Sequence, residues 1–244
     1  MGQCLSTTLQ ILGAVAEAQQ QEDDDANQQQ SQQHSQQQSV PATSGKVTPV
    51  YPSLPPDAKK YRVRNVYDGD TLTLTDEQRV RFLGIDTPEI KENQPFAQEA
   101  KAYTKERCDK KDIWISFEAG QNQKDHYGRL LAFVWVPADN GAGGYLCVNE
   151  GIVAAGFASA YIPNQQSKLH NWDKLVKLQS DARNNKRGMW SAFQDDTVYK
   201  TRNGSAFHKK SCKHLSDIRN LTELKRGEAM EQGLHACRTC LADS

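Results

Sequence analysis

Three short segments, each set at the end of a run of alternating apolar and polar residues, constrain this chain more than any other feature. They are Tyr67-Asp68-Gly69-Asp70-Thr71, Arg81-Phe82-Leu83-Gly84-Ile85-Asp86-Thr87-Pro88-Glu89 and Asp125-His126-Tyr127-Gly128-Arg129. Alternation over residues 61–66, 71–74 and 80–83 predicts three strands joined by tight turns. Pro88 ends the third, and residues 96–108 change to helical spacing with Ala97, Ala100, Tyr103 and Thr104 on one face. Residues 113–117 and 130–136 supply two further strands, with the third segment in the turn between them. Five strands with a helix between the third and fourth predict an α+β fold: a closed five-stranded barrel of the OB type with helices packed against it. Strand ends and loops of such a barrel gather at one rim, so acids and arginines distant in sequence converge.

The chemistry of those acids and arginines is that of a cation and a phosphate. Asp70, Asp86 and Glu89 are hard oxygen donors with no histidine or cysteine among them, which favours calcium or magnesium, calcium being the first expectation. Arg81 and Arg129 carry planar donors that grip phosphate oxygens in pairs and stay charged, which suits a phosphodiester clamp. Glu89, three residues beyond Asp86, is placed to take the proton of an attacking water. Taken singly the motifs have simpler readings: Asp-Gly between two strands is a hairpin turn, and Asp-Thr-Pro-Glu is a helix start. Turns do not need two arginines and three carboxylates in a fixed order.

The order DGDT, then R-x4-DTPE, then D-x-YGR resembles the staphylococcal nuclease-like (thermonuclease) family over roughly residues 60–193. That resemblance implies a calcium-dependent phosphodiesterase on an OB-fold barrel, with DNA and RNA as substrates and single strands preferred. It implies that Asp70, Asp86 and the Thr87 carbonyl hold Ca2+, that Arg81 and Arg129 clamp the phosphate, that Glu89 activates water and that the 5′ oxygen leaves. Asp68 stands behind these ligands; Tyr127, and Tyr161 in Ala160-Tyr161-Ile162-Pro163, take the places of aromatic rings beside the substrate. The alternative from a different class is a noncatalytic scaffold that holds nucleic acid or protein at a membrane.

The rest of the chain divides by composition. Residues 1–58 hold six acids and one base, a net charge of −5 that leaves +5 for the remainder of a chain with net charge zero. That excess suits a nucleic-acid partner without proving one. The Gln-rich tract and the Pro-rich stretch after it predict a disordered tether over residues 1–58. Its start, Met1-Gly2-Gln3-Cys4-Leu5-Ser6, fits myristoylation of Gly2, and Cys4 suits a palmitate that would make attachment lasting. The expected location is the cytoplasmic face of a membrane, the plasma membrane first, through these acyl chains; secretion is the alternative.

Beyond a barrel domain over residues 59–193, helices are expected over residues 146–155 and 169–187, the latter with Trp172, Leu175, Val176 and Leu178 as apolar positions and Gly188 as its end. Lys168, Lys174, Lys177, Arg183, Lys186 and Arg187 read mainly as its solvated face. Residues 198–244 form a small third unit with nine bases and five acids. His208-x3-Cys212 and Cys237-x2-Cys240 have the ligand set of a structural Zn2+ site, with His214 and His235 as rivals and free thiols or a disulfide as alternatives. This segment also resembles the small Ada-type metal-binding module. Cys108 and Cys147 read as buried thiols.

Overall fold

The structure, a computed structural model, describes residues 49–138, 143–162, 169–216 and 218–241, all within one compact unit, Lys46–Ser244. Gly2, Cys4 and the Gln-rich tract lie outside the described residues. Along the chain run β1 (Val50–Tyr51), β2 (Lys59–Val66), β3 (Thr71–Leu74), β4 (Arg79–Phe82), β5 (Ile85–Asp86), α1 (Ala97–Cys108), β6 (Asp112–Ser116), β7 (Leu130–Pro137), β8 (Tyr145–Cys147), α2 (Val148–Ala154), β9 (Ser159–Ala160) and α3 (Trp172–Asn184). The C-terminal part adds β10 (Thr197–Thr201), β11 (Ala206–Phe207), β12 (Leu221–Lys225), α4 (Arg226–Glu231) and β13 (His235–Ala236).

Five of these strands close on themselves. β2 pairs with β3, β3 with β4, β4 in parallel with β7, β7 with β6, and β6 back with β2. A register shift between Val63 and Asn65 lets one strand serve two partners, its first half facing β6 and its second half β3. The inward residues are the apolar ones of the alternation, among them Val63, Leu72, Val80, Phe82, Ile115 and Val134, all nearly inaccessible to water. Ile152 and Val153 of α2 and Leu175 of α3 join the same core, and α1 adds Ala100 and Cys108.

Where β4 ends, Asn149 replaces missing ladder bonds. Its Oδ1 accepts from the Val134 N–H at 2.9 Å, and its Nδ2 donates to the Leu83 and Ala132 carbonyls at 2.9 and 3.1 Å. A fully buried amide meets three backbone groups that have no water to fall back on.

Several sequence expectations need correction. Val50 and Tyr51, inside the expected tether, pair with Leu146 and Tyr145, because Tyr51 finds a buried partner: its hydroxyl donates to the Glu150 carboxylate at 2.8 Å. Leu146 and Cys147 belong to a strand rather than to the start of a helix, since they lie against the end of β7. α3 stops at Asn184, and Gly188 opens a short 3-10 turn instead of ending the helix. Its basic residues are mostly not a solvated face: Lys174 bonds buried Glu150 at 3.0 Å, Arg183 bonds Glu231 at 2.5 Å, and Arg187 bonds Asp181. Lys168 lies outside the described residues. Cys108 and Cys147 are buried free thiols, as expected. Among the described residues no helix is long and apolar enough to cross a membrane.

Replacing Asn149 with Ala strands the Val134 N–H and the Leu83 carbonyl, while the Ala132 carbonyl keeps the Leu83 N–H at 2.9 Å, and should lower unfolding stability by roughly 3 kcal/mol, given about 1–3 kcal/mol for each buried polar group left unpaired. Urea denaturation of the variant measures this; a loss below about 1 kcal/mol would mean that water reaches the gap.

Candidate active site at the barrel mouth

The turn between β2 and β3 is built to present carboxylates. Tyr67 donates its N–H to the Thr71 carbonyl at 2.9 Å, and Asp68 Oδ1 accepts from the Asp70 N–H at 3.2 Å. Gly69 is needed here because a Cβ would stand 2.8 Å from both Ala100 Cβ and Thr87 Cγ2. Thr104 of α1 donates its hydroxyl to the Gly69 carbonyl at 2.5 Å. The helix thus presses the turn against the loop that follows β5.

Arg81 sits at the centre. Its Nη1 lies 3.1 Å from Asp70 Oδ2 and its Nη2 2.7 Å from Asp86 Oδ1, while Nη1 also donates to the Phe82 and Ile85 carbonyls at 2.9 and 2.8 Å. Thr87 donates both its N–H and its hydroxyl to Asp70 Oδ2, each at 3.0 Å. Glu89 follows at the start of a 3-10 turn, Ile90–Glu92, with its N–H bound to Gln94 Oε1 at 2.8 Å. It lines a cleft with Asp68, and its charge acts on both Asp68 and Asp86.

The carboxylates crowd one another. Withdrawal from water, then the charge of Asp70, raises Asp68 to about 6. Desolvation raises Asp86 to about 7, against the pull of Arg81, with Asp70, Glu89 and Asp68 adding to the rise. Burial is the largest cause of that rise and the like charges add to it, although 48% of the Asp86 side chain still meets solvent. Oxygen donors that repel each other in a half-dry recess fit a hard divalent cation.

Arg129 occupies an adjoining recess. Parallel pairing of Val80 with Leu130 sets it beside Arg79, and the two line a hollow of about 350 Å3 with Tyr127 and Asp76. Asp125, to which the sequence reading gave no role, holds it there. Asp125 Oδ2 accepts from Arg129 Nε at 2.7 Å, and its Oδ1 accepts from the Tyr127 and Arg129 N–H groups at 2.9 and 3.0 Å. Burial would raise this carboxyl, but Arg129 holds it below the usual carboxylate range. The signal was present in the spacing: an acid four residues before the arginine across a tight turn. Tyr127 is 74% exposed with the Arg129 guanidinium 5.4 Å from its ring. Tyr161 donates its N–H to the Gly84 carbonyl at 2.9 Å, one step beyond the pairing of Ile85 with Ala160 and two beyond that of Asp86 with Ser159.

So Asp68, Asp70, Arg81, Asp86, Thr87 and Glu89 come together, Arg129 and Tyr127 lie in the next recess, and Tyr161 borders the strand that carries Asp86. A second constellation lies in the C-terminal part. His208, Cys212, Cys237 and Cys240 offer donor atoms all within 4.8 Å of one another, a spacing that suits one metal ion. Parallel pairing of Phe207 with Ala236 brings the two halves of the set together. His208 Nδ1 is buried without a hydrogen-bond partner, as a ligand atom would be. Of the rivals, His214 bonds Thr239 at 2.9 Å and His235 is exposed.

A family model described as Staphylococcal nuclease homologue matches residues 79–192. The chain is 32% identical over 140 residues to a thermonuclease of Staphylococcus hyicus, covering 54% of this chain and 75% of that protein. It is 33% identical over 134 residues to an uncharacterized endonuclease of Escherichia coli O157:H7, covering 53% and 76%. With the SPbeta prophage-derived endonuclease YokF of Bacillus subtilis (strain 168) it shares 33% identity over 132 residues, 51% of this chain and 41% of that one. The family match ends before His208, so the metal-ligand cluster lies outside it.

The crowding has a pH signature. Asp86 titrates near an ordinary carboxylate value when unfolded and at about 7 when folded. Between those values the fold binds the extra proton, so the metal-free protein loses stability as pH rises through that window. Asp86→Asn should flatten the fall in melting temperature between about pH 4 and about pH 7 in calcium-free buffer. Equal slopes for the two proteins would mean that the carboxyls do not share one field.

Proposed function

The chain belongs to the staphylococcal nuclease homologue family, and on that premise we propose that it is a calcium-dependent nuclease that hydrolyses phosphodiester bonds in DNA and RNA at the barrel mouth. The observation that carries this reading is Arg81 paired with both Asp70 and Asp86, with exposed Glu89 beside the same cluster. Asp70, Asp86 and the Thr87 carbonyl are the donors that would hold Ca2+. When bound, such a cation neutralises phosphate charge and polarises the bond to be broken.

The chain's own residues supply the rest. Glu89, exposed at the edge of the acid cluster, accepts the proton of the attacking water. Arg129 commits its Nε to Asp125, which aims the terminal nitrogens of the guanidinium at phosphate oxygens as charge grows on them. Arg81 keeps Asp70 and Asp86 close and fixes the loop carbonyls behind them. Tyr127, and Tyr161 beyond it, would face the strand. At the C-terminal cluster a zinc ion fits the donor set of one imidazole and three thiolates, and would stabilise a part whose own core is small. The acylation pattern of Gly2 and Cys4 adds a membrane tether to this reading, which the mass of the N-terminal peptide from native cells tests.

Glu89→Gln and Arg129→Ala should each slow digestion of single-stranded DNA in calcium by on the order of a hundredfold or more, the usual contribution of a general base or a preorganised charge, with melting temperature retained. Unchanged cleavage by both variants would remove the mechanism. Failure of the unaltered protein to cut in calcium or magnesium would leave the noncatalytic scaffold. Metal analysis should find one zinc per chain, and Cys212→Ser should abolish it and lower the melting temperature; a full complement of zinc in that variant would sink the assignment.

A further inference from the structure

Glu89 and Asp68 also form one wall of a cleft whose other lining residues have no part in the catalytic reading. It is lined by Tyr67, Asp68, Glu89, Lys91 and Lys101, with a volume of about 260 Å3. That is close to the lower end of the roughly 300–1,000 Å3 typical of small-ligand clefts, which admits one nucleotide rather than a duplex. Tyr67 stands where β2 ends: Val66 turns into the core, so the next ring turns outward, 41% exposed on a backbone pinned to Thr71. The Arg79 guanidinium lies 5.0 Å and the Lys91 ammonium 5.8 Å from the centre of that ring.

What separates these cations from ordinary surface charge is that they gather about one exposed ring and its cleft, and no ion pair among the described residues takes them up. Arg62, Arg64, Arg81, Arg107 and Arg129 all have carboxylate partners, whereas none of the ion pairs among the described residues involves Arg79, Lys91 or Lys101. Arg79 also lines the recess of Arg129 and Tyr127, so it joins the two hollows. An aromatic ring for a base, free cations for the phosphates beside it and a shared wall with Glu89 are the parts of a single-strand track.

Resting on the nuclease reading above, we propose that Tyr67, with Arg79, Lys91 and Lys101, forms a nucleotide subsite that stacks one base of a single strand and holds its phosphate next to the bond being cut. The ring supplies stacking that tolerates any base; the cations supply a salt-sensitive hold on the backbone.

Two measurements on the full chain test this: anisotropy of a labelled single-stranded oligodeoxynucleotide in calcium-free buffer, where no cleavage occurs, and KM and kcat in calcium. Tyr67→Ala and Tyr67→Leu should weaken binding and raise KM on the order of tenfold, within the range of one lost base stack, and leave kcat unchanged. Tyr67→Phe should bind like the unaltered protein, since stacking needs the ring and not the hydroxyl. On an abasic strand the Tyr67→Ala loss should disappear. Lys101→Ala should flatten the dependence of log affinity on log salt by about 0.7, one single-strand phosphate contact. Unchanged affinity of both Tyr67 variants, or an equal loss on the abasic strand, would overturn the subsite. If the unaltered protein does not cut, the nuclease reading fails while the binding arm still decides this one.

Discussion

Carboxylates cannot be kept close together in a recess partly closed to water unless positive charge stands among them, and Arg81 is the charge the fold provides. Its guanidinium holds Asp70 and Asp86 at hydrogen-bond distance and reaches the carbonyls of Phe82 and Ile85 behind them. Three separate pieces of chain meet on that one group: the turn after β2, the strand β4 itself and the end of β5. Buried pairs of this kind are weak sources of net stability, because desolvation offsets most of the attraction. What they do provide is position. The acids are held together by Arg81 itself, and their mutual repulsion would favour a cation that relieves it.

Much of this was legible in the sequence. The alternation marked four barrel strands to within about a residue, and β2 from its third residue on, because one side of each faces a core that tolerates only apolar residues, as at Val63, Leu72 and Val80. The motifs named the residues that converge because each sits at a strand end, where barrel geometry leaves few places to go. β1 was not legible: Val50 and Tyr51 carry no alternation of their own and form a strand only because β8 and Glu150 receive them. Nor does a sequence show whether an arginine is spoken for. Arg81 reads as a free clamp and is bonded to two acids; Arg79 reads as one more strand residue and has no carboxylate partner.

The same blindness applies to α3. Lys174 and Arg183 look like a wet face because helical spacing alone reports what is charged, not what faces it. Lys174 turns to Glu150 beneath β1, and Arg183 reaches across to the C-terminal part, bonding Glu231 at 2.5 Å and the Gly227 carbonyl at 3.3 Å. Asp195 completes that seam by accepting from the Gly227 N–H at 2.7 Å. One helix therefore ties the linker strand and the C-terminal part to the barrel through charge, where apolar spacing predicted packing alone.

The two constellations differ most in donor chemistry, and that difference does the sorting of metals. Asp70, Asp86 and the Thr87 carbonyl present only hard oxygens, which favour calcium and magnesium; Cys212, Cys237 and Cys240 with His208 present sulfur and nitrogen, which favour zinc. The selectivity is unequal. On the proposed reading a calcium ion would gain little from thiolates and leave the C-terminal cluster to zinc, whereas zinc, which accepts carboxylates readily, would enter the barrel mouth once that cluster is full. On that reading, occupancy of the barrel mouth by calcium would depend on abundance as well as on fit. The buried, unpartnered Nδ1 of His208 matters in that proposed setting, since a cluster that took up zinc first would keep it from the oxygens of Asp70 and Asp86.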